Sequence, residues 1–168
     1  MQITLFGTAK TVAIRAMNNL DFILDKAVAS AEARKFDPNV LLGCRLAPDM
    51  FPLSRQVQIA CDFAKGPMAR LAGMENPKFD DVETTIPELK ARIVRTLAFV
   101  NSVPESSFAG AEDRDISIQA GSQTMEFKGL PYLVGFAQPN LYFHLSMAYA
   151  ILRHNGVDVG KRDFIGPA

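Results

Sequence analysis

Residues 139–156 read PNLYFHLSMAYAILRHNG, and the fold turns on how this stretch is understood. Asn140, Leu141, His144, Ala148, Ile151 and Leu152 recur at three- and four-residue spacing, which places them along one stripe of an α-helix. The stripe is apolar apart from Asn140 and His144, so it is expected to face a core, and Gly156 ends the helix. His144 is one of only two histidines. An inward imidazole must be hydrogen-bonded, protonated beside an acid, or bound to a metal, because an unpartnered polar ring is costly away from water. The second histidine, His154, falls in the last turn of the same helix, where a cation suits the negative end of the helix dipole.

Three more amphipathic segments lie upstream. The first spans about Thr8 to Arg34, with Met17, Leu20, Leu24, Ala27 and Ala31 as its stripe and Asp37-Pro38 beyond its end. The second follows Leu46-Ala47-Pro48-Asp49, with Asp49 as the expected N-cap and Leu53, Val57, Ala60 and Ala64 facing inward. Gly66-Pro67 is expected to kink or interrupt it. The third opens on Thr85-Ile86-Pro87-Glu88, a capping-box pattern, has Ile86, Leu89, Ile93, Leu97 and Val100 as its stripe, and is stopped by Pro104. Between the third and last helices, Ile116 and Ile118 alternate with polar residues, as do Met125 and Phe127, around Gly121-Ser122. This predicts a short β-hairpin. Pro131 and Pro139 then frame an entry segment, and the tail after Gly156 is too short for another long helix. The pattern is that of an all-α four-helix bundle with a hairpin inserted before the last helix, in one domain spanning 1–168.

Composition narrows the function classes. Eighteen basic residues balance eighteen acidic ones, so there is no electrostatic footprint for nucleic acid. No apolar run approaches the roughly 20 residues of a membrane span. The N-terminal residues lack the apolar core of a secretory signal, and a cytoplasmic location is expected. Cys44 and Cys61 are expected as free thiols, and two cysteines do not support a zinc–thiolate centre.

Chemistry, if present, is expected around His144. Asn140 lies one turn away, and Asp49 shares that end of the bundle if the second and fourth helices are neighbours. A histidine, a carboxylate and a carboxamide form a hard, weak ligand set, suited to a loosely held divalent cation. Each residue also has a plainer explanation: Asp49 as a cap, Asn140 as a helix-start residue, His144 as a hydrogen-bonded core histidine. Arg45, Gln56 and Ala148 complete the expected pocket, Arg45 being a candidate anion contact or a partner for Asp49. Asp80, Asp81 and Glu83 read most simply as a solvated acidic loop, and Cys61 as an inert buried thiol.

RLAPDMFPLSRQVQIACDFAKGPMARLAG (45–73), FHLSMAYAILRHNGVDVGKRDFIG (143–166) and the intervening DDVETTIPELKARI resemble a bacterial and fungal family of unknown function. That family looks like a branch of the DinB/YfiT-like superfamily of metal-dependent proteins. The resemblance implies a four-helix bundle, commonly a homodimer. In the wider superfamily a histidine from helix two and a His-x-x-x-His pair from helix four bind a divalent metal, and some members act on low-molecular-weight thiols. By this comparison His144 matches the last histidine and Asn140 replaces the earlier one. Helix two has no histidine, and Asp49 is the nearest polar substitute. The resemblance thus implies a degenerate metal site without ordinary zinc or nickel chemistry. Its alternative is a metal-dependent hydrolase or thiol transferase acting on a small molecule through Asp49, Asn140 and His144.

Overall fold

The computed structural model describes residues 3–167. Helix α1 spans Leu5–Arg34. It starts a turn earlier than periodicity suggests because Thr4 caps it, its side chain accepting from the Gly7 amide at 3.0 Å. A 3-10 turn at Pro38–Gly43 leads toward α2, Leu53–Ala72. Asp49 does not cap α2. It lies exposed in the preceding turn, too far upstream for its carboxylate to reach the first-turn amides, and Pro52 occupies the cap position without a side-chain bond.

Helix α2 also passes through Gly66-Pro67 without interruption. A residue before proline is normally pushed out of the helical region by a clash involving its Cβ. Glycine has none. Helix α3, Ile86–Ser102, begins at the expected capping box: the Glu88 amide donates to Thr85 Oγ1, and Glu88 Oε2 accepts from the Thr85 amide.

Strands β1 (Asp115–Ala120) and β2 (Gln123–Lys128) form the expected antiparallel hairpin, with Ile116 opposite Phe127 and Ile118 opposite Met125. Gly121 takes a left-handed conformation (φ 60°) at the turn. The chain then enters helix at once. A short helix α4 (Gly129–Tyr132) runs through a widened π-turn (Leu133–Ala137) into α5, Gln138–His154. The widened turn ends two residues before Pro139, whose ring would crowd a regular turn and whose nitrogen donates no hydrogen bond. After Gly156, a five-residue helix α6 (Lys161–Ile165) docks on α1: Asn19 Nδ2 donates to Phe164 O at 2.8 Å, and Lys26 pairs with Asp163 at 2.9 Å.

α1, α2, α3 and α5 form the bundle. α2 makes its most extensive contact with α5, and α3 packs on both α1 and α2. The predicted stripes are the core: Met17, Leu20, Leu24, Leu53, Val57, Ala60, Leu89, Ile93, Ala148 and Leu152 are all buried within one apolar cluster. Ile116 of the hairpin joins the same cluster. No helix is long and apolar enough to cross a membrane among the described residues.

Candidate functional site

The inward stripe of α5 and the first turns of α2 meet at His144 and Gln56, which are 8% and 1% exposed. His144 Nδ1 lies 2.7 Å from Gln56 Oε1. The Gln56 amide is oriented by its other end, since Nε2 donates to Phe51 O at 3.1 Å. Its oxygen is therefore the atom that meets the ring, so Nδ1 is assigned the proton and Nε2 keeps its lone pair. Phe63 of α2 stacks on the imidazole, with centroids 6.1 Å apart, and Phe143 meets it edge-on at 5.2 Å. Burial, reinforced by the positive charge of Arg55, pushes the His144 pKa down to about 4. The ring is neutral at physiological pH.

The other expected site residues do not gather around this pair to the same degree. Asn140 stands one turn before His144 and is half-buried, but its Nδ2 turns back to donate to Phe136 O at 2.7 Å. It thus satisfies a carbonyl of the widened turn. Asp49 is exposed, and no side-chain hydrogen bond joins it to His144, Asn140 or Gln56 among the described residues. Its turn is nonetheless tied to the pair through Phe51 O. Arg45 is exposed and forms no ion pair with Asp49 among the described residues. Ala148 is fully buried in the core. No three His, Cys, Asp or Glu side chains converge as a metal cluster among the described residues.

Of the acidic loop, Asp80 and Asp81 are exposed as the sequence suggests, but the Glu83 side chain is not. Glu83 and Arg92 of α3 form a buried pair, their side chains 3% and 0% exposed, with Arg92 Nη1 3.1 Å from Glu83 Oε1. Arg92 Nη2 also meets Asp81 at 3.0 Å and Asp62 at 3.2 Å, and Asp62 in turn meets Lys65 at 3.0 Å. Gln58 Nε2 donates to Glu83 Oε2 at 3.0 Å, and Arg55 pairs with Asp81. The one sequence signal for this cluster is the position of Arg92, one residue before the core residue Ile93 of α3. Next to it, Cys61 is fully buried, and burial pushes its thiol up to about 12, so it is inert as expected.

A cavity of about 510 Å³ opens further along α2, beneath the α2–α3 loop and the hairpin. Phe63 lines it, whereas Arg45, Gln56 and Ala148 do not.

No curated protein matches the chain. A crystal structure of a DinB family member protein from Shewanella denitrificans is similar throughout, with 46% sequence identity, a TM-score of 0.88, and coverage of 95% of this chain and 90% of that one. The family model described as a domain of unknown function, DUF1993, matches residues 5–165. With that match spanning almost its whole length, the chain belongs to the DUF1993 family and carries the DinB-like helical fold that its sequence resembles.

Proposed function

We propose that this chain is a small-molecule-binding DinB-like bundle in which a hydrogen bond between His144 and Gln56 has replaced the metal centre, so that ordinary zinc or nickel chemistry does not operate. The observation that carries this reading is the 2.7 Å contact between His144 Nδ1 and Gln56 Oε1. It leaves a single imidazole nitrogen, Nε2, with an open lone pair. The nearby carboxamides, Gln56 on Nδ1 and Asn140 one turn away on α5, are neutral oxygen donors and poor ligands for zinc or nickel. The donor set does not fit those metals. The same burial and the same Arg55 charge that keep a proton off His144 also oppose a dication there. What remains is a neutral hydrogen-bond acceptor on an apolar wall, suited to a hydroxyl or amide N–H of a small molecule. The homodimer implied by family resemblance belongs to the same reading, and a monomer mass in light scattering at micromolar protein would remove it.

The test is elemental analysis of tag-free protein, followed by titration with zinc and nickel. The native chain should carry no stoichiometric metal and take up neither ion at the site. Restoring imidazoles with the double substitution Gln56→His and Asn140→His should create a tight site. Stoichiometric metal in the native protein that disappears in His144→Ala would overturn the proposal and favour the hydrolase or transferase alternative.

A further inference from the structure

We propose that the cavity beside α2 is a binding site for a small organic carboxylate with an aromatic or aliphatic body and an N–H or O–H donor next to the carboxylate. It is distinct from the His144–Gln56 pair.

Three observations carry this. First, Arg70 presents a guanidinium with no carboxylate within ion-pair distance among the described residues. Its position is fixed: Nη1 lies 3.2 Å from Tyr132 Oη, and the arginine folds over Gly66, where a built Cβ would stand only 2.5 Å from Nη1. Gly66 therefore permits both the helical Gly-Pro step and the seat of this cation. A guanidinium held in a cavity matches the two oxygens of a carboxylate. Second, Asn76 Oδ1 is buried and has no hydrogen-bond partner. Asn76 lines the cavity and lies against the same face of Gly66, with Nδ2 3.7 Å from where that Cβ would stand, so a turn of the amide about its last bond brings Oδ1 to a ligand held on Arg70. An unsatisfied buried acceptor is costly, and a ligand donor satisfies it. Third, Phe63, Phe79 and Phe136 supply apolar lining, which inorganic phosphate would not use. Lys65 also lines the cavity, 5.0 Å over the Phe79 ring, and its partner Asp62 is shared with Arg92. With Arg70 and Lys78 the lining carries three cations against the two carboxylates of Asp62 and Asp80, so it keeps positive character.

The experiment is an NMR titration of the full chain with N-acetylphenylalaninate, which combines the carboxylate, the neighbouring N–H and the ring. Saturable shifts are expected at Asn76, Phe79 and Gln119. The uncharged N-acetylphenylalaninamide and inorganic phosphate should each bind at least about tenfold more weakly, and the Arg70→Gln variant should lose affinity for the carboxylate to the same extent. Because Arg70 also ties α2 to Tyr132, Asn76→Ala, in a loop, provides a second variant, with folding checked by circular dichroism; it should weaken binding severalfold. Elemental analysis and zinc titration read the His144–Gln56 pair, whereas the carboxylate titration reads the cavity, so this proposal and the reading of His144 fail separately. No saturable binding, equal affinity for the amide or phosphate, or unchanged affinity in folded Asn76→Ala would overturn it.

Discussion

Two buried polar groupings lie against the same helix and follow opposite rules. At the start of α2, Gln56 holds His144 by one neutral hydrogen bond, and the imidazole is kept uncharged. A few residues on, Asp62 joins Glu83 and Asp81 around Arg92, a permanent cation that is 0% exposed. The depth is similar. The difference is the supply of carboxylates. Three acids reach Arg92, whereas the charged neighbour that acts on His144 is Arg55. A buried cation survives where anions surround it and is otherwise discharged. The same rule applies to a metal ion, which is why the proposed reading gives the His144 end of the bundle no cation.

The largest effect should come from breaking the charged grouping. Glu83→Ala leaves Arg92 with only the more exposed Asp62 and Asp81, and should cost about 3 kcal/mol, toward the lower end for a broken buried pair. Urea denaturation measures it. A cost below about 1 kcal/mol would mean that solvent, rather than Glu83, stabilises the guanidinium.

The neutral grouping predicts a pH effect of comparable size. The pKa of His144 is about 4 in the folded chain, against an ordinary value of 6.5. Between these values the unfolded chain binds a proton that the folded chain refuses. Stability from this source is therefore full above pH 6.5 and is lost as pH falls toward 4, by up to about 3 kcal/mol. Thermal melts of the native chain and of His144→Asn, which retains an amide donor but does not titrate, should diverge across that window. Parallel curves would show that His144 is not the group responsible. Smaller still is the hydrogen bond itself: Gln56→Leu strands the His144 Nδ1–H and should cost about 1–2 kcal/mol at neutral pH.

These two groupings are unequally legible in the sequence. The periodicity of α5 places His144 inside, because a stripe that is otherwise almost wholly apolar leaves little choice of face. The capping box at Thr85 and the alternation around Gly121 locate α3 and the hairpin for similarly local reasons. Gln56 is visible as a pocket residue, but its pairing with His144 depends on helix register between residues 88 positions apart. Asp49 reads as a cap and ligand because it precedes α2, yet Pro52 sets the helix start. The Arg92 cluster escapes the sequence for a physical reason: Glu83 looks like one more acid of a solvated loop with Asp80 and Asp81 until the fold brings Gln58 and Arg92 to it. Gly66-Pro67 looks like a break only while proline is weighed without the missing Cβ of the residue before it.

The sharpest test changes one atom pair. Gln56→Glu replaces the amide acceptor with a carboxylate at nearly constant shape, giving His144 what Arg92 already has. The opposite charge should raise the His144 pKa above its native value of about 4, toward or beyond the ordinary 6.5. If it passes 6.5, the sign of the linkage reverses. The folded chain then holds the extra proton, so this contribution is fully present below 6.5 and fades as pH rises through the new folded pKa. At neutral pH the gain from the ion pair is set against the burial of two charges and the loss of the bond from Gln56 Nε2 to Phe51 O, so net stability should fall by about 1–2 kcal/mol. The imidazole proton shifts, followed by NMR from about pH 4 to about pH 9 to span both the native and the raised pKa, are therefore the deciding measurement. If His144 still titrates near 4 in the Gln56→Glu variant, burial alone controls the ring, and the supply of carboxylates is not what separates the two halves of α2.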